Sequence, residues 1–375
     1  LILGFFKYWG FFLDTISGIT GLKLTYPQLA LPIGLSFYTF KNLSYILDIY
    51  MGKTEPCKGF FPYAVYSTMF PHMTAGPIVR YTDISESISR RSINTTRLGA
   101  GAELFIKGLS KKVLLADNLS ALYTTLQSSG TTSFVGTWLA IGAYTLELYF
   151  DFSGYSDMAI GLGQMLGFNF NKNFDYPYIS TSVSEFWRRW HISLGSWFRD
   201  YIYIPLGGNR VSTGRHIRNI LVVWALTGLW HGASWNFVFW GVYYGLLLLA
   251  EKFLLGRFLE KAPVWLRNLY TMFAVIIGWV FFSQTTPAAI GKMLGAMFGL
   301  GASCFADRAS LYALKSGLIL MIISVISCRP GLYQYFKRLA RRNTYLAAVI
   351  NAILFFLCIA YMIYSSYTPF MYQQF

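Results

Sequence analysis

The stretch that decides the fold lies at the middle of the chain, where residues 184–210 read SEFWRRWHISLGSWFRDYIYIPLGGNR. It is too charged to face lipid across a whole bilayer and too aromatic for an ordinary soluble loop. If it is helical, four of its side chains fall on one face at spacings i, i+3, i+4 and i+7. They are Trp187, Trp190, His191 and Leu194. The pattern predicts a helix at or inside a membrane protein that presents a histidine among tryptophans.

A neighbouring face of the same predicted helix carries Glu185 and Arg189, four residues apart and therefore able to form an ion pair. The composition of the stretch alone favours a simpler interpretation. An amphipathic helix lying in the membrane interface has the same aromatic belt and the same basic contacts with lipid headgroups.

A second histidine changes that balance. Residues 226–236 read LTGLWHGASWN, so His231 lies inside an otherwise apolar run. An ionisable side chain at membrane depth needs a partner or a water-lined cavity, and is by default a functional hypothesis. Either histidine alone could be structural and bonded to a backbone carbonyl. Two of them, forty residues apart in sequence, favour one shared polar site.

The composition excludes a soluble globular protein, since 55% of the residues are hydrophobic and 13% are charged. The apolar runs are long and continuous, which predicts helical spans and argues against a β-barrel. The length allows roughly nine to eleven spanning or near-spanning segments. We find no repeat and no soluble second domain, so residues 1–375 are interpreted as one transmembrane domain.

The net charge of +15 indicates basic loops retained on the cytoplasmic side, not nucleic-acid binding, for which no motif occurs. The Arg-rich segments 188–218 and 329–342 carry this signal most strongly. A basic cytoplasmic face also suits an anionic donor such as a phosphorylated carrier or coenzyme A. The four cysteines are scattered, which predicts neither a metal site nor a disulfide framework.

Several segments of the chain have predicted roles. Residues 1–13 are expected to end a span, and residues 14–30 and 82–98 to form polar connections. Segment 60–81 is broken at Pro71 and Pro77, which predicts a re-entrant element covered by protein or water. Spans are predicted near 31–50, 132–168, 219–235, 236–250, 268–283, 311–328 and 345–366.

Polar side chains inside these apolar blocks are expected to face inward. Ser36 and Asn42 lie in the first block, and Glu147 and Asp151 share one helical face in the second. The alternative for the two acids is a position in water at the end of a span, and the pattern leaves that open.

The motifs together resemble the membrane-bound O-acyltransferase family, in its bacterial alginate and peptidoglycan O-acetyltransferase branch. The resemblance is carried by residues 185–193 and 205–210 and by five further stretches along the chain. These are residues 32–40, 75–81, 151–157, 229–232 and 368–372. The D-alanyltransferases of teichoic acid have similar motifs.

The resemblance implies an all-helical bundle with a transmembrane tunnel, in the inner membrane of a bacterium and with further spans upstream of residue 1. It implies that His231 matches the central catalytic histidine of the family and His191 its second functional histidine. It further implies an extracytoplasmic acyltransferase or a polysaccharide-modifying partner. No bound cofactor or metal is expected, and acetyl-CoA or another acyl thioester would be the donor substrate.

Direct acyl transfer needs a base of near-neutral pKa, which suits His231, while His191 would bind, orient or polarise the reactants. A serine acyl-enzyme has no support, because no Gly-x-Ser-x-Gly motif occurs. A continuous polar path through the membrane is then required, narrowest at His231. The candidates to line it are Ser36, Asn42, Glu147, Asp151, Trp187, Arg188, Trp190, Trp230, Trp235 and Asn236.

Two other classes of function fit the same residues. A proton-coupled transporter would use the two histidines with Glu147 and Asp151 as a relay, although no inverted repeat of interrupted spans supports it. A noncatalytic assembly scaffold would need neither histidine.

Overall fold

The computed structural model describes residues 2–27, 29–74, 76–130 and 133–364. Their backbone is helical, and no strand occurs within these ranges, which confirms the all-helical prediction. The family-like stretch 368–372 and Ala75 of the stretch 75–81 lie outside the described residues. The α-helices are α1 Trp9–Thr20, α2 Leu35–Tyr50, α3 Phe60–Thr68, α4 Tyr81–Ser89, α5 Thr95–Ser110, α6 Asp117–Ser128, α7 Phe134–Met165, α8 Val183–Arg189, α9 Ile192–Phe198, α10 Thr213–His231, α11 Trp235–Ala250, α12 Gly256–Lys261, α13 Val264–Ser283, α14 Pro287–Met297, α15 Arg308–Ser327, α16 Pro330–Arg342 and α17 Thr344–Tyr364.

Four helical segments among the described residues are long and apolar enough to cross a bilayer. They are residues 235–261, which join α11 to α12, and helices α13, α15 and α17. Each matches a span predicted from hydropathy. Helices α2, α7 and α10 also match predicted spans, but each of them carries buried polar or charged side chains.

Helix α7 is the longest helix and forms the centre of the bundle, with α5 packed along it. Their backbones approach closely at small residues: a Cβ on Gly108 would lie 2.5 Å from the carbonyl oxygen of Gly154. Helices α10 and α11 cross in the same way, since a Cβ on Gly241 would lie 2.5 Å from the carbonyl oxygen of Trp224. Close packing at small residues is how helices associate within a membrane, where lipid provides no hydrophobic drive.

Short π-helical and 3₁₀ segments lie between several of the α-helices. The π-helical segments are Gly4–Tyr8, Lys111–Ala116, Arg199–Tyr203 and Glu251–Leu255. The predicted re-entrant element is a broken one: α3 ends at Thr68, a 3₁₀ turn spans Phe70–His72, and the chain is extended before α4.

Two predicted polar connections are wrong. Helix α1 runs to Thr20, through part of the predicted loop 14–30, and α4 occupies much of the predicted linker 82–98. Helix α1 exposes large apolar side chains such as Phe12 and Ile19, so its polar residues did not mark a loop. Helix α4 is amphipathic and buries Ile84. A capping box at its first turn joins the backbone of Arg80 to Asp83. This arrangement is a signal for the start of a helix, but the polar composition of the segment favoured a linker.

Candidate functional site

The central stretch is two short helices with a sharp break at His191, not the single helix that its periodicity predicts. Helix α8 ends at Arg189, Trp190 is extended, and His191 has a left-handed backbone with φ of 45°. A non-glycine residue in that region is strained and is held there by its surroundings. The predicted pair between Glu185 and Arg189 is confirmed, with an N–O distance of 2.8 Å.

The surroundings that hold His191 centre on Asn173, a fully buried residue of the loop before α8. Its Oδ1 accepts from His191 Nδ1 at 3.1 Å, from the Ser193 amide at 3.2 Å and from the Ser193 hydroxyl at 2.9 Å. Its Nδ2 donates to Ser156 Oγ at 3.1 Å. Because the carbonyl side of the amide faces these donors, His191 carries its proton on Nδ1, and Nε2 bears the lone pair.

His231 is the last residue of α10 and is buried. The carbonyl groups at a helix end lack partners within the helix. Here Lys7 donates from Nζ to the carbonyl oxygens of Trp230 and His231, the latter at 3.3 Å, and Tyr8 donates to that of Leu229 at 2.7 Å. The N-terminal segment therefore fixes the end of α10 and, with it, the position of the histidine.

Aromatic rings surround both imidazoles. The centroid of His231 lies 4.8 Å from that of Trp230, 4.9 Å from Trp240 and 5.3 Å from Phe282. Trp230 also lies 6.0 Å from His191, so one indole contacts both histidines. These aromatic contacts restrict the orientation of each imidazole ring.

One cavity of about 390 Å³ is lined by both histidines, and we call it the histidine cavity. Trp187, Arg188, Trp190 and Arg199 line it as well. The structure thus brings together two residues that are forty positions apart, as the shared-site interpretation requires.

An ion network includes Arg199 of the histidine cavity. Asp200 accepts from Arg199 at 2.7 Å and pairs with Arg80 at 2.8 Å. Partial burial raises the pKa of Asp200, but the hydrogen bonds from Arg199 and Arg80 outweigh it and hold that pKa below its usual value. The carboxylate stays ionised and fixes both guanidinium groups. Arg188, which also lines the cavity, is exposed, and no ion pair to it is found within the described residues.

A second cavity, of about 700 Å³, lies on the other side of His231, and we call it the acid cavity. Glu147, Asp151 and Asn236 line it, together with Phe237 and Phe282. Those two rings lie 6.3 Å and 5.3 Å from the His231 imidazole. His231 lines the histidine cavity and its neighbours Phe237 and Phe282 line the acid cavity, so these side chains lie between two cavities that share no lining residue.

The charges of the acid cavity are partly paired. Lys112 Nζ lies 2.7 Å from an Asp151 oxygen and 2.8 Å from an Asp117 oxygen. Glu147 lies one helical turn before Asp151 on α7 and is also buried. Both acids are buried in the middle of α7, at the wall of the acid cavity and not at an end of the helix.

The remaining candidates fall into two groups. Trp230 packs between the two histidines, although it does not line the histidine cavity. Like Trp230, three other residues proposed to line the tunnel line neither cavity: Trp235, Ser36 and Asn42. Trp235 is 46% exposed and packs edge-on against Phe11, so its amphipathic ring faces the surface.

Ser36 and Asn42 belong to a different part of the interior. Ser36 is buried in the first turn of α2, and Asn42 Oδ1 accepts from the hydroxyls of Tyr63 and Ser67 on α3. Asn42 therefore points toward α3, and Ser36 is buried without lining either cavity.

Sequence reasoning missed Asn173 and a buried pair between α2 and the turn Phe70–His72. Asn173 had no signal, because it lies in an Asn-rich loop where any residue could be a turn former. Lys41 Nζ lies 2.8 Å from His72 Nδ1, and both side chains are fully buried. A lysine in the first predicted span was the available signal for that pair. No group of three or more metal-ligating side chains is found in the described part of the chain.

Known proteins match these features along most of the chain. The sequence profile of the membrane-bound O-acyltransferase family matches residues 57–290. A probable alginate O-acetylase of Azotobacter vinelandii is 40% identical over 346 residues, which cover 90% of this chain and 68% of the relative. The chain therefore spans about two thirds of the length of this relative.

The names of more distant relatives refer to other acyl groups or other acceptors. A peptidoglycan O-acetyltransferase of Helicobacter pylori is 34% identical over 80% of this chain and 63% of its own length. A teichoic acid D-alanyltransferase of Streptococcus thermophilus is 29% identical over 57% of this chain and 55% of its own length.

Proposed function

The chain belongs to the membrane-bound O-acyltransferase family, and we propose that it transfers an acetyl group from a thioester donor in the histidine cavity to a hydroxyl group in the acid cavity. The observation that carries this proposal is the position of His231. It lines one cavity and contacts the aromatic wall of the other, so donor and acceptor can meet there without a large movement of domains.

His231 acts as the general base in this proposal. It removes the proton of the acceptor hydroxyl as the oxygen attacks the thioester carbonyl, and the tetrahedral intermediate collapses with loss of the thiolate. The proton then passes from the imidazolium to the leaving sulfur. Exclusion of water by Trp230, Trp240 and Phe282 prevents hydrolysis of the thioester.

His191 orients the reactants. Its Nδ1 proton is committed to Asn173, so the neutral ring offers the Nε2 lone pair as a hydrogen-bond acceptor. A group that accepts a hydrogen bond in this cavity can hold the attacking hydroxyl or a thiol leaving group. It cannot donate to the carbonyl oxygen while it is neutral.

The donor enters from the basic end of the histidine cavity. Arg188 and Arg199 lie there, and their charge supports an anionic thioester such as acetyl-CoA or an acylated phosphopantetheine carrier. The Arg excess of segment 188–218 supports a cytoplasmic position for this end, in the inner membrane of a bacterium.

The acceptor enters through the acid cavity from the opposite side. Glu147 and Asp151 supply carboxylate oxygens that accept hydrogen bonds from hydroxyl groups. The names of the relatives support a polysaccharide as the final acceptor. The immediate acceptor is either that polysaccharide or a hydroxyl of an extracytoplasmic partner transferase.

A second candidate is D-alanyl transfer to teichoic acid, which the more distant Streptococcus relative supports. The purified protein, incubated with acetyl-labelled and D-alanyl-labelled thioesters and a hydroxyl acceptor, separates the two. We expect label from acetyl donors in the acceptor, and none when His231 is replaced by Gln. Transfer from the D-alanyl donor alone would favour the second candidate. Solute-coupled proton flux without transfer of either label would instead support a transporter.

A further inference from the structure

A third cavity, of about 380 Å³, lies between α5, α7, α15, α16 and α17. It shares no lining residue with the histidine cavity or the acid cavity. We call it the α16 pocket, because Leu332, Tyr333 and Phe336 of that helix form one of its sides. Nothing in the proposed acyl transfer uses it.

The interior of the α16 pocket is mainly hydrocarbon. Its apolar walls come from five different helical segments, so it is a pocket between helices and not a groove on one of them. The wall residues include Leu114, Phe150, Ile323, Phe336 and Leu354. A pocket with walls of this kind fits a flexible apolar chain.

The rim of the pocket is positively charged. Lys107, Lys111 and Arg329 line it, and Lys337 lies beside it, 3.9 Å from Glu103. Lys107 and Lys111 share one carboxylate, that of Asp157, at 3.1 Å and 2.8 Å. Four cations therefore face two carboxylates, which leaves the rim with a net positive charge.

Helix α16 is itself suited to the membrane interface. Segment 329–342 contains five Lys or Arg residues and no acid, and its side chains Leu332, Tyr333 and Phe336 line the pocket. A helix with one apolar and one basic face lies in the plane of the interface and attracts anionic lipid. Basic pockets between helices on the same side bind anionic headgroups.

We propose that the α16 pocket binds one anionic phospholipid, with an acyl chain against Phe150, Ile323 and Leu354 and its phosphate against Arg329 and Lys107. The apolar interior selects a lipid over a free phosphate, and the net charge of the rim selects an anionic headgroup over a zwitterionic one. The site is independent of the acyl transfer, so it stands or fails separately from the proposed function.

The test uses the whole chain in detergent, with native mass spectrometry to count bound lipids during titration with phosphatidylglycerol or phosphatidylcholine of equal chain length. We expect one tightly bound phosphatidylglycerol and at least tenfold weaker binding of phosphatidylcholine. Replacing Arg329 by Gln should weaken phosphatidylglycerol binding about fivefold, the effect of removing one cation near an anionic headgroup. Replacing Ser327, which lines the pocket, by Phe should abolish binding by filling the space of the chain.

The matched control is Arg341→Gln, which removes one exposed cation from the same helix outside the pocket. It should leave binding unchanged. An equal loss in Arg341→Gln and Arg329→Gln would mean general attraction to a basic surface and would overturn the site. Equal affinity for the two lipids would also overturn it, as would undiminished binding in a folded Ser327→Phe variant. Arg329 is exposed at the start of α16, so its replacement tests the site even if the Phe variant does not fold.

Discussion

Replacement of Asn173 by Ala tests how the reactive geometry is built. Asn173 Oδ1 accepts hydrogen bonds from the His191 ring and from both donors of Ser193, and its Nδ2 donates to Ser156. Alanine removes all four bonds from a site that is 1% exposed. The His191 ring then loses the contact that fixes its tautomer and its orientation.

The size of the effect follows from these bonds. A buried donor left without an acceptor costs about 1–3 kcal/mol. If the loss at the His191 ring is felt fully in the transition state, acyl transfer slows by roughly 5- to 150-fold. The bond from the Ser193 amide is lost in all states, so it lowers the free energy of unfolding without changing the rate of the folded enzyme.

The matched control is Asn268→Ala. Asn268 Nδ2 donates to the carbonyl oxygens of Tyr178 and Ser180 at 3.0 and 2.9 Å, so it also ties a loop but touches neither histidine. Transfer from labelled acetyl thioester is measured at equal amounts of folded protein. We expect a slow Asn173→Ala variant, a near-normal Asn268→Ala variant, and partial rescue by Asn173→Asp, which keeps an acceptor oxygen. Equal rates in the two alanine variants would refute the orienting role.

Three further predictions concern the walls, the charges and the topology. Gly232→Ala places a Cβ 2.1 Å from the Phe237 ring, so we expect a loss of about 1–3 kcal/mol in stability and a displaced wall at His231, detected by thermal unfolding and transfer assays. Gly214→Ala, which meets open space, is the control. Lys112→Met removes the cation that pairs with the buried Asp151 and the half-buried Asp117, and should cost about 3–5 kcal/mol in the free energy of unfolding, measured in detergent. A cysteine at Ser212 should resist impermeant thiol reagents in intact cells and react after permeabilisation, and ready labelling from outside would contradict the cytoplasmic assignment.

The lengths of the apolar runs in the sequence predicted much of the fold. Helices α13, α15 and α17 begin and end within a few residues of the predicted spans, because long apolar runs leave little choice in a bilayer. The ion pair between Glu185 and Arg189 followed from helical spacing alone, and α8 includes both residues.

The break at His191 could not be predicted, because the apolar periodicity continues through it. What stops the helix is Asn173, whose side chain binds both His191 and Ser193 and whose carbonyl accepts from the Ile192 amide at 2.9 Å. That contact joins residues far apart in the chain, and no local pattern encodes it.

The polarity of side chains within the predicted spans indicated that they face inward, but not which part of the interior they contact. Glu147 and Asp151 line the acid cavity, whereas Asn42 bonds to α3 and Ser36 is buried but lines neither cavity. A helical period gives the face of a helix, and only the packing of the other helices decides what covers that face.

The central claim is that acyl groups cross from one cavity to the other at His231. Proteoliposomes with the protein in one orientation test it directly, with labelled acetyl thioester outside, at the basic face, and a polysaccharide or partner acceptor enclosed. The account predicts label esterified to the enclosed acceptor, and none with His231→Gln in vesicles that retain the folded protein. Undiminished labelling in that variant, or label confined to the donor side in the wild type, would contradict it.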